Sequence, residues 1–172
     1  MTGTSHIRPP PGVSGPMTDV LTEDMIEKMR AIGLRLDRSG TFWHQGTAVT
    51  HPRLRQALLG WLDVRDDGRD IVRLDDKRYA YVDVDDAHLR ARSARWDGPH
   101  AIVLWDDDRE AELDYGSLRQ AADHALYTRV RGRLRGRIAG PAYHAIAERI
   151  IELPGGFALE AAGQRWPIAN AA

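Results

Sequence analysis

Between Leu126 and Ile138, LYTRVRGRLRGRI, arginine occupies positions 129, 131, 133, 135 and 137, with apolar residues or glycine in between. Side chains two apart share a face of a strand, whereas a helix would scatter them around its axis. The spacing predicts a strand or hairpin with guanidinium groups on one side and small or apolar groups on the other. No acid interrupts from Ala125 to Ala147. Five positive charges must then meet solvent, an acidic part of the same chain, or an anionic partner.

The whole chain does not share this asymmetry. Its 172 residues carry a formal net charge of -1, which gives no long-range attraction for nucleic acid or membrane. Local imbalance is what counts. Leu104 to Asp114 sets six acids against Arg109, and an acidic strand beside the basic one would give complementary cross-strand pairs. Cysteine is absent, which excludes disulfides and thiolate chemistry and fits a reducing compartment. No run of about 18 apolar residues is present to span a bilayer. The first residues lack the apolar region of a signal peptide. The expected location is the cytoplasm.

Punctuation by Gly, Pro and Asp organises the rest. Residues 1–17 are rich in Pro, Gly, Ser and Thr and are expected to form a disordered tail. Thr22 is a suitable cap for a first helix, with Met25, Ile26, Met29 and Ile32 at helical spacing and Gly33 at its end. Leu34 to His44 reads as a hairpin about Arg38-Ser39-Gly40, and Gln45-Gly46 as a further turn. Thr50 caps a second helix, with Pro52 in its first turn and Leu54, Ala57, Leu58, Trp61 and Leu62 as its buried face. Strands separated by Asp66-Asp67-Gly68, Asp75-Asp76 and Asp85-Asp86 follow. His88 to Trp96 sets Arg90 and Arg92 on one face, and Ala101 to Trp105 runs into the acidic segment. Gly140-Pro141 opens a third helix reaching Ile151. A last hairpin joins Phe157–Leu159 to Arg165–Ile168, with Pro167 placing that strand at an edge. About three helices among antiparallel hairpins define an α+β fold, with lobes at 18–95 and 96–172.

Asp37, Arg38 and Gly40 make an Asp-Arg-x-Gly turn, followed by Trp43, a His44-x-Gly46 turn and Thr50 before a helix. This pattern resembles the opening of short bacterial proteins of domain-of-unknown-function family twelve eighty-five. Fainter similarity returns in LYTRVRG, PAYHAIAERI and FALEAAGQRWPI. The resemblance implies small mixed α/β rolls in two lobes, and it lends no catalytic or ligand residues.

Seven histidines invite a metal, but none is paired at ligand spacing, and the Asp-rich turns lack the EF-hand pattern. His44, His51 and Asp37 are the one set that could converge into an enzyme's metal site, against the plainer reading of histidines hydrogen-bonded in turns. Gly132 and Gly136 lie in a strand pattern, where they mark bulges or close packing rather than a phosphate loop. Ser39, Ser93 and Ser117 lack a nucleophile elbow. No metal or cofactor is expected. The arginines remain: Arg129, Arg131, Arg133, Arg135 and Arg137, with Arg90, Arg92 and Tyr127, form the candidate binding face. The expected role is non-enzymatic binding of an acidic protein partner or a second copy. RNA or DNA is the alternative, although only Tyr127 is in phase with Arg129 for stacking on bases.

Overall fold

Apolar residues alternating with polar ones over three to nine positions, cut by turn residues, make strands the main element. The computed structural model describes residues 23–171; the tail at 1–17 and the Thr22 cap lie outside them, as do the side chains of Met25, Ile26 and Met29. The chain opens with α1 (Glu23–Arg30), then β1 (Leu34–Leu36), β2 (Phe42–His44), β3 (Thr47–Ala48), α2 (Pro52–Trp61), β4 (Leu62–Val64), β5 (Asp70–Arg73) and β6 (Tyr79–Val84). Next come β7 (Leu89–Asp97), β8 (His100–Trp105), β9 (Glu110–Glu112), a 3-10 turn at Tyr115–Ser117, and β10 (Arg119–Gln120). β11 (Leu126–Val130), β12 (Leu134–Ile138), α3 (Gly140–Ala147), β13 (Ile150–Leu153), β14 (Gly156–Ala161) and β15 (Gln164–Asn170) complete it.

Two mixed sheets result, of order β3-β2-β1-β6-β5-β4 and β13-β14-β15-β10-β11-β12-β7-β8-β9. The chain crosses between them at residues 85–88, and β7 continues past residue 95, where the sequence suggested the lobes divide. One topology occurs twice. β1 to β3, α2 and β4 to β6 form a meander, a helix and a second meander, with β1 parallel to β6 at the centre. β10 to β12, α3 and β13 to β15 repeat this, with β10 parallel to β15. Register gives the corresponding residues of these two units. Arg35 faces Trp43 as Arg119 faces Tyr127, and Val72 faces Ala80 as Leu159 faces Trp166. The turns agree too: Asp37 N–H donates to Thr41 O at 3.0 Å, and Ala121 N–H to Ala125 O at 2.9 Å.

Three sequence expectations change. His51 rather than Thr50 caps α2, its Nδ1 accepting from Leu54 N–H at 3.3 Å. α3 ends at Ala147, and Ile150 opens a strand instead of a helical turn. β15 lies inside its sheet, yet β10 pairs only with Ala169 and Asn170, so Pro167 needs no ladder bond on that side.

Buried side chains from both units form one core that includes Leu36, Phe42, Leu59, Trp105, Leu126 and Ile146. Gly136 fits there because a Cβ would strike the Trp105 ring and Val130. α2 does not bury the face its spacing suggested. Leu58 and Leu59 are inside, whereas Leu54 is 46% and Trp61 36% exposed. No helix among the described residues is long and apolar enough to cross a membrane.

Candidate functional site: an arginine-lined recess

β11 and β12 form the hairpin that the arginine spacing implies, but its arginines do not make one row. Tyr127 faces Arg137 and Arg129 faces Arg135 across the strands, while Leu126, Val130, Leu134 and Ile138 point inward. Arg131 (φ 46) and Gly132 (φ 84) turn through the left-handed region. Arg131 and Arg133 therefore belong to the turn and leave the strand alternation.

Most of these guanidiniums are answered within the chain. Arg131 meets Asp107 at 2.5 Å, Arg133 meets Asp66 at 2.9 Å, Arg135 meets Asp70 at 3.5 Å and Arg137 meets Asp123 at 2.8 Å. The acidic segment does not lie along this hairpin, as cross-strand pairing had suggested. β8 folds back antiparallel on β7, so Asp108 reaches Arg92 at 2.5 Å and Glu110 reaches Arg95 at 3.2 Å. Of the acidic segment's carboxylates only Asp107 pairs with an arginine of the hairpin, while Asp114 accepts from Thr128 Oγ1 through its carbonyl at 3.2 Å. Exposed pairs such as Arg92–Asp108 and Arg133–Asp66 contribute roughly 0.2 to 1 kcal/mol each, whereas Asp107 is buried beside Arg131.

Arg90 is a different case. Its guanidinium lies 3.2 Å from Asp106, its Nε donates to Arg38 O at 3.1 Å, and Nη2 donates to Ala87 O. Burial pushes Arg90 below and Asp106 above their ordinary pKa values, each partly offset by its partner. Both work as a fastener between the sheets. Removing one would strand a buried charge. His88, wholly buried, does likewise: Nε2 lies 2.7 Å from Asp70, while Nδ1 accepts from Arg135 N–H at 2.8 Å.

What remains open is a recess of about 400 Å³ lined by Arg119, Arg129 and Arg135 with Asp114, Gly116, Ser117, Tyr127 and Thr128. Arg119 and Arg129 have no carboxylate partner among the described residues. Arg119 donates to its neighbour's carbonyl, Leu118 O, at 2.9 Å, and Arg135 Nε donates to Asp86 O at 3.2 Å. Ser117 Oγ accepts from Arg129 N–H at 2.8 Å and donates to Asp114 O at 3.0 Å, which ties the 3-10 turn to β11. Tyr127 donates its hydroxyl to Asp86 and accepts from Arg137 at 2.6 Å. Burial, then Asp86, raises its pKa, so the phenol stays protonated. Arg119 lies outside the arginine run. Its membership follows from β10 pairing with β11, which no local spacing reveals.

The histidine set does not assemble. Asp37 accepts from Trp43 Nε1 at 2.9 Å, Ser39 Oγ at 2.7 Å and Thr41 N–H at 2.9 Å. Burial would raise its pKa, but these bonds outweigh it and hold the carboxyl well below the usual range. His51 caps α2, and His44 lines an apolar groove elsewhere. Among the described residues no three His, Asp or Glu side chains stand together as a metal cage. The Asp37, Gly40 and Trp43 motif thus serves the hairpin: Gly40 takes φ 90 and lies beneath Arg90.

No family profile matches the chain, and no curated protein does. Its fold is that of solved bacterial proteins of the DUF1285 family, the same family its turn motifs resemble. The match to a DUF1285 family protein from Silicibacter pomeroyi DSS-3 has a TM-score of 0.68 at 21% identity, covering 82% of this chain and 81% of that one. A DUF1285 family protein from Shewanella baltica OS155 matches with a TM-score of 0.57 at 16% identity, over 69% of this chain and 93% of that one.

Proposed function

We propose that the protein acts by binding, and that the recess between β10, β11 and β12 receives an acidic segment of a protein partner. The observation that carries this reading is Arg119 and Arg129 without carboxylates beside a half-engaged Arg135, while Arg131, Arg133 and Arg137 are paired. Arginine's planar fork grips a carboxylate through two parallel bonds, which a lysine cannot do. The site is open to water, so affinity falls as salt rises. A second copy is one source of the acids, since Asp76 is exposed and has no ion-pair partner among the described residues. Nucleic acid is less favoured, because Tyr127 is the sole aromatic lining the recess among the described residues and its hydroxyl is already engaged.

Calorimetry with a glutamate-rich peptide at low salt tests this. Wild type binds it, and Arg119→Glu with Arg129→Glu weakens binding at least about tenfold, the scale of one lost charged contact. Equal binding by both proteins defeats the reading. Tighter binding to single-stranded RNA than to the peptide replaces it with the nucleic-acid one.

A further inference from the structure

Another opening on the surface differs in kind. Between α2 and the end of its sheet runs a groove of about 430 Å³, a size ordinary for small-ligand pockets. Leu34, Leu58 and Val72 make its buried floor. Ile32, Leu54, Trp61 and Leu74, four of the five large apolar side chains exposed among the described residues, make its walls. Among the described residues its ionisable lining is His44, Arg78 and Tyr79, with no carboxylate. Asp75 holds Arg78 through Nε at 2.6 Å, which leaves the terminal guanidinium nitrogens for another anion.

The repeat shows what closes the same place in the other unit. Where the first unit has Ala80 opposite Val72, the second has Trp166 opposite Leu159. The Trp166 ring stacks on Tyr115 at 5.5 Å, its Nε1 donates to Ala161 O at 3.0 Å, and Leu159 beneath it is fully buried. While an opening of about 470 Å³ lies elsewhere along α3, beside Tyr143, Phe157 and Ile168, the second unit places Trp166 against Tyr115 at the position of Ala80. The first holds an alanine there and leaves an apolar stripe of α2 bare.

We propose that this groove binds one small molecule with an apolar body and a single anionic head, of the class of medium- and long-chain carboxylates. The apolar walls take the chain, and Arg78 takes the carboxylate. An acidic groove rim would repel such a ligand, and a wholly uncharged one would not orient it.

Calorimetric titration of the full chain with dodecanoate, below its micellar concentration, and with dodecanol tests the assignment. Wild type binds one dodecanoate per chain. Ala80→Trp, which installs the second unit's own filler, abolishes binding with thermal unfolding unchanged or raised. Leu54→Asp, at an exposed wall position, abolishes it too and covers the case in which Ala80→Trp does not fold. Arg78→Gln weakens dodecanoate about tenfold and leaves dodecanol unaltered, as loss of a charged hydrogen bond requires. No dodecanoate binding, binding that survives Leu54→Asp, or dodecanol bound as tightly as dodecanoate overturns the proposal. So does sedimentation showing that Leu54→Asp converts a dimer to monomer, since the occupant is then a second copy. Arg129→Glu leaves this binding unchanged, which separates it from the arginine recess.

Discussion

The first unit and the second share strand order, central parallel pair and turn bonding, and differ in what lies over the helix-bearing face. In the second, β7 to β9 extend the sheet along β12, Trp96 Nε1 donates to Ala145 O in α3 at 2.8 Å, Trp105 is buried in the core and Trp166 packs against it. In the first, β3 ends the sheet at two residues, and α2 keeps Leu54 and Trp61 in water. At the Ala80/Trp166 position one scaffold thus carries a copy closed by an aromatic and a copy left open, although the second keeps an opening of about 470 Å³ elsewhere along α3. Packing completes the closed copy, while the open copy keeps surface free for something else to cover.

The sharpest test of the closed copy is Gly136→Val. Its added atoms collide with Trp105, so a loss of about 3 kcal/mol or failure to fold is expected, read from the urea midpoint. Next are the corresponding floor residues. Leu159→Ala should cost about 3 kcal/mol and Val72→Ala about 1 kcal/mol. Equal costs would mean the groove is covered in solution and would break the contrast. A third test uses Asp37, whose place in the second unit belongs to Ala121. Its folded pKa lies below the unfolded one, so its stabilisation is complete above about pH 4 and is lost as pH falls through the folded value. Asp37→Asn should flatten the acid limb of the stability profile. The smallest effect is Leu54→Ser, expected within about 0.5 kcal/mol because the side chain is half in water already.

What the sequence made readable was local chemistry. Gly33, Gln45-Gly46 and Ala162-Gly163 all bend through positive φ, and Pro141 starts α3, as residue type alone suggests, whereas Arg131-Gly132, whose spacing read as strand, forms a turn. The duplication was hidden, because its equivalence lives in register. Leu34-Arg35 and Leu118-Arg119 match, but Ala80 and Trp166, or Asp37 and Ala121, share nothing in composition. The partners of the arginines were equally illegible. Arg133 and Asp66 are 67 positions apart, and only the folded chain brings them together. Spacing did find the α2 stripe, yet it could not say that the stripe faces a void.

Arg90 has a consequence for anyone who would cut this molecule in two. Its side chain leaves β7 to cover the Gly40 bend of the other sheet, and Asp106 arrives with it. A fragment stopping at residue 88 would lose that lid and bare the floor around Leu36 and Phe42. Each half alone should precipitate, whereas the two fragments mixed from denaturant should recover a single cooperative melt.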